Sequence, residues 1–155
     1  MLYLLLKAVH VLAVMLWVGG MAFAHFFLRP SLATLAPPQR LALMRDVLRR
    51  FFGAVLVATG LVVASGLWMI GRVARQVVQA GGSFDWPLDW LVMAAVGLLM
   101  VAIFGHIRFR SYPRLSRAVD ASDWPAAGAV LAQIRRWVGV NLALGVALIG
   151  FVYLV

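Results

Sequence analysis

Phe51-Phe52-Gly53-Ala54-Val55-Leu56-Val57-Ala58-Thr59-Gly60-Leu61-Val62-Val63-Ala64-Ser65-Gly66-Leu67-Trp68-Met69-Ile70 is a run of twenty residues without one charge. A helix needs about 20 mainly apolar residues to cross a bilayer. The run lacks the period-two alternation of a membrane barrel strand and is apolar on every face. In lipid its backbone groups can then be satisfied only by helical hydrogen bonds.

Three further runs flank it. Leu2 to Leu28 is broken only by Lys7, His10 and His25; Leu91 to Gly105 and Trp137 to Val155 carry no charge. The reading is an all-α, four-helix transmembrane bundle forming a single domain over residues 1–155, with spans near 2–28, 51–71, 88–108 and 136–155. Composition agrees. The chain is 65% hydrophobic and 12% charged, where soluble domains run at about half apolar and about a quarter charged. One small core could not hide that much apolar surface. Ala22-Phe23-Ala24 has the form of a signal-peptidase site. The apolar run before it is longer than a signal sequence needs, and Lys7 is its sole basic side chain, so the first span is expected to remain.

The basic residues orient the bundle. Eleven of fourteen fall in the first loop (Arg29, Arg40, Arg45, Arg49, Arg50) or the third (Arg108, Arg110, Arg114, Arg117, Arg135, Arg136). The positive-inside rule puts these loops in the cytoplasm of a bacterial inner membrane protein and both termini outside, in the periplasm. Pro37-Pro38 and Asp123-Trp124-Pro125 read as helix starts, so the second and fourth helices are expected to extend into the cytoplasm. The net charge of +9 reads as topology plus attraction to the lipid bilayer, its first partner. The arginines abut the spans and form no separate basic domain, so nucleic acid is not expected.

Several chemistries are excluded. No cysteine is present, which removes disulfides and thiolate sites. No glutamate is present, and the aspartates sit outside the apolar runs, so paired-carboxylate catalysis lacks its residues. What remains inside the spans is Lys7, His10, His25 and His106, and ionisable groups at membrane depth are functional candidates. Tyr3, Lys7, His10, Val14, Trp17, Met21 and His25 fall within about 80° on one helical stripe, expected to face the interior. His10 and His25 are about 22 Å apart along the axis and cannot share a metal. His25 and His106 lie at similar depth on antiparallel helices, a disposition that could ligate a heme iron axially, with Arg29, Arg108 and Arg110 placed for propionates. Met69 or Met93 could complete a site at His10. Thioethers also suit Cu(I), so a copper path is the alternative.

Lys7-Ala8-Val9-His10 followed by Trp17-Val18-Gly19-Gly20 resembles the opening helix of two related bacterial membrane families. The CopD-like copper-resistance family shows a His, six residues, then W-x-G-G. The HemJ-type protoporphyrinogen oxidase family shows K-A-x-H, six residues, then W-x-x-G. Arg108-Phe109-Arg110 with Pro113-Arg114-Leu115, and Arg135-Arg136 through Asn141-Leu142-Ala143-Leu144-Gly145, resemble the CopD side. The HemJ resemblance implies heme b and porphyrinogen oxidation, with His10 as the matching ligand. The CopD resemblance implies copper handling.

The leading expectation is therefore a heme b redox protein, a HemJ-like oxidase passing electrons to a membrane acceptor. Its catalytic residues would be His10 and Lys7. Its cofactor residues would be His10, His25, His106, Trp17, Arg29, Arg108 and Arg110, and its metal ligands His10, His25, His106 and Met93. Porphyrin and quinone are the expected small partners, and a homodimer or trimer the expected assembly. Copper transport or resistance is the alternative, and a cofactor-free assembly subunit the third reading.

Overall fold

The computed structural model describes residues 1–154. The expected end of the fourth span at Val155 lies outside the described residues. Six α-helices build it: α1 (Leu2–Phe23), α2 (Arg29–Ser31), α3 (Pro37–Gln79), α4 (Leu88–His106), α5 (Tyr112–Asp120) and α6 (Trp124–Leu154). No strand occurs among the described residues. Four continuous helical stretches, Leu2–Ser31, Pro37–Gln79, Leu88–Asp120 and Trp124–Leu154, are each long and apolar enough to cross a membrane.

Two of these stretches pass through a widened π-helical turn, Ala24–Leu28 and Ile107–Ser111. Each turn is followed two residues later by a proline, Pro30 and Pro113. A proline inside a helix has no N–H to give, and its ring collides with the carbonyl four residues earlier. A turn widened by one residue relieves both problems without ending the helix. The third helical stretch thus continues to Asp120 where the sequence predicts a span ending near 108. It projects past the apolar run, as the second and fourth do.

The ends are well specified. Pro37 and Pro38 occupy the first turn of α3, where a missing N–H costs nothing. Past its last turn, Gly81 at φ +81° lets its own N–H reach Val78 O and that of Gly82 reach Val77 O, both at 3.0 Å. Ser122 makes the same left-handed stop after α5 at φ 57°. Asp123 then caps α6, its Oδ1 accepting from the Ala126 N–H at 3.0 Å. The expected helix start at Asp123-Trp124-Pro125 is therefore where the chain turns back.

In the bundle α1 packs between α3 and α6, and α4 packs on α6. The interior is a chain of edge-on rings: Trp17 on Phe104 (5.8 Å), Phe104 on Phe52 (5.9 Å), and Phe52 on Tyr112 (5.8 Å). At the basic end α5 is strongly amphipathic. It buries Tyr112, Leu115 and Val119 between α3 and α6 and leaves Arg114 and Arg117 outside. The Arg45 guanidinium bonds Asp120 at 2.7 Å and joins α3 to α5.

Candidate functional site

The stripe on α1 largely faces inward. Trp17 and Met21 are buried, and Tyr3, His10, Val14 and His25 are half-buried. Lys7 is exposed, so it stands off the interior that the sequence reading gave it.

His10 meets α3. Its Nδ1 lies 2.9 Å from Ser65 Oγ, and its Cε1 lies 3.4 Å from where a Cβ on Gly66 would stand. Ser65 is buried, and its hydroxyl donates to its own helix, to the carbonyls of Leu61 and Val62. With that proton committed, Oγ accepts from His10 Nδ1–H. The neutral ring then carries its lone pair on Nε2, the arrangement in which a second partner orients a ligating histidine. The sequence shows Ser65 as a group able to bond back to its helix. It gives no sign of the His10 contact, because that depends on the register between α1 and α3.

His25 lies within the first widened turn. Its ring is edge-on to Phe26 at 5.0 Å, its Cε1 is 4.0 Å from the Cβ position of Gly139, and its Nδ1 is buried without a hydrogen-bond partner. His106 is exposed, with its ring 5.8 Å from Trp137. Gly139 and Trp137 are about 3 Å apart along α6 but about 200° apart around it. The two histidines therefore reach α6 from different sides. The arginines part in the same way. Arg29 lines a cleft with His25, whereas Arg108 lies over Tyr112 at 5.6 Å and Arg110 is exposed. His25 and Arg29 share one cleft, and His106, Arg108 and Arg110 are not among the residues lining it. Met69 and Met93 are half-buried on α3 and α4. Among the described residues no three His or Asp side chains cluster as a metal site.

The W-x-G-G segment has a packing reason. A Cβ on Gly20 would run into the Phe51 ring of α3, while Gly19 faces open space. Gly145 on α6 is where α1 and α4 both close in, through Val18 and Met100. Beside it, Asn141 is buried and donates weakly to Met100 O at 3.4 Å.

A family model described as CopD, copper resistance protein D, matches residues 45–155. The matched stretch covers α4 to α6 and all of α3 beyond its first eight residues, and leaves α1 with His10 outside. No curated protein and no solved structure matches the chain.

Proposed function

The chain belongs to the copper resistance protein D family, a family of multi-pass membrane proteins, and on that premise we propose that it handles copper in the bacterial inner membrane, with His10 as a ligand on the ion's route. The basic end is placed in the cytoplasm by the positive-inside rule, so His10 lies in the periplasmic half. Imidazole and thioether donors suit Cu(I), and Met69 and Met93 are the soft donors available to join His10.

The observation that carries this reading is the His10–Ser65 contact, which occupies Nδ1 and leaves Nε2 as the nitrogen free to ligate. About 10 Å further along α1, the ring chain Trp17, Phe104, Phe52 and Tyr112 closes the interior. Passage of copper through the bundle requires these rings to part.

The test compares copper content of cells with and without the gene, complemented by wild type or His10→Ala, alongside Cu(I) competition titration of the purified proteins. Loss of copper accumulation and of tight Cu(I) binding in His10→Ala is expected. Copper content that ignores the deletion overturns the reading. A second reading, heme b with protoporphyrinogen oxidation, is favoured by Lys7-Ala8-Val9-His10 alone. Purified protein without a Soret band after heme supplementation ends it. An assembly subunit without cofactor would instead tolerate His10→Ala, His25→Ala and His106→Ala together.

A further inference from the structure

The basic end holds a cleft of about 610 Å³ between the first widened turn, α2, α3 and α6, within the size range of ligand pockets. Three arginines from three elements line it: Arg29 of α2, Arg40 of α3 and Arg135 of α6. Arg135 lies within coulombic reach of the other two. Like charges so gathered repel unless an anion joins them, and this chain has none to offer. Its only acids are five aspartates. Asp46 and Asp120 are held by Arg45, Asp123 caps α6, and Asp85 and Asp89 lie at the far end of the bundle. Among the described residues Arg29, Arg40 and Arg135 make no ion pair. His25 Nδ1, on the same wall, is buried without a partner.

The rest of the wall is apolar, with Leu41, Met44 and Leu131 among it. A hydrated inorganic anion has no use for such a wall, but an acyl chain does. We propose that this cleft binds the headgroup of an anionic phospholipid from the cytoplasmic leaflet, its phosphate held by Arg29, Arg40 and Arg135 and its chains along the apolar wall. The site is independent of the copper reading and lies at the opposite end of α1 from His10.

The test is native mass spectrometry of the full protein released from nanodiscs of phosphatidylglycerol and phosphatidylcholine in equal parts, with a parallel arm in phosphatidylcholine plus inorganic phosphate. Wild type is expected to keep phosphatidylglycerol selectively. The triple variant Arg29→Gln/Arg40→Gln/Arg135→Gln is expected to lose that retention on the order of a hundredfold, from about 1 kcal/mol per arginine. Exchange of exposed Arg49, Arg50 and Arg136 for Gln is expected to leave it unchanged. Gly128 lines the cleft, and a Cβ there meets nothing within 4 Å. Gly128→Trp should therefore fill the space, leave all three charges in place and still abolish retention, which covers the case in which the triple variant does not fold. Equal retention of phosphatidylcholine, retention in Gly128→Trp, or capture of phosphate alone overturns the proposal.

Discussion

His10 Nδ1 on α1 stands 2.9 Å from Ser65 Oγ on α3, and Ser65 in turn donates back to its own helix. The contact joins two spans that are 55 positions apart in sequence. An interhelical hydrogen bond in a membrane averages only about 0.6 kcal/mol. Its larger consequence is chemical, because it decides which imidazole nitrogen is free.

Ser65→Ala removes that control while leaving the helix intact. Cu(I) affinity, read by competition with a chromophoric chelator, is expected to fall by about 10- to 100-fold, the usual effect of losing a partner behind a metal-binding histidine. Unchanged affinity would show that His10 is not oriented by Ser65.

The paired glycines of the first helix are expected to separate. Gly20→Ala drives a methyl group into the Phe51 ring and should cost about 1–3 kcal/mol. Gly19→Ala enters open space and should be neutral or stabilising by up to about 1 kcal/mol, since alanine favours helix over glycine. Denaturant titration in mixed micelles gives both values.

A similar contrast holds on α6. At Gly145 a Cβ would stand 2.9 Å from Val18 Cγ2 and 3.1 Å from Met100 Cε, whereas at Gly150 it meets nothing within 4 Å. Val18 is buried and β-branched, so it cannot swing away. Gly145→Ala is expected to lower thermal stability and Gly150→Ala to preserve it. Equal melting temperatures would count against the three-helix junction at this point.

Asp120→Asn removes the 2.7 Å pair with Arg45. The carboxylate is 64% exposed, so the loss should not exceed about 1 kcal/mol and should shrink further in high salt. A larger loss would mean that α5 depends on this pair more than on its buried Tyr112, Leu115 and Val119.

Much of the architecture is written in local sequence. Uncharged runs such as Phe51 to Ile70 force helices in lipid, because no other structure pairs the backbone within one segment. Pro37-Pro38, Gly81 and Asp123 mark helix ends through φ, missing donors and side-chain acceptors, all properties of single residues. The stripe from His10 through Trp17 to Met21 follows from the 3.6-residue period alone. Pro30 and Pro113 also carried a readable sign, a proline inside an apolar or amphipathic pattern. A proline more often ends a helix, however, and so α5 is not expected as a continuation of the third span.

Tertiary structure alone decided which residues meet. Whether His25 and His106 face one another depends on how α1 and α4 are rotated about α6, and rotation leaves no trace in either helix's own periodicity. The partners of His10 depend on the axial register of α1 against α3, in which Gly20 leaves room for the Phe51 ring. The gathering of Arg29, Arg40 and Arg135 depends on how α2, α3 and α6 come to line one cleft. Local sequence determined that this protein has four helices able to cross the membrane and most of the α1 stripe that faces its interior, though not the exposure of Lys7. Packing fixed helix rotation and register, and these decide which of its few polar groups share a space.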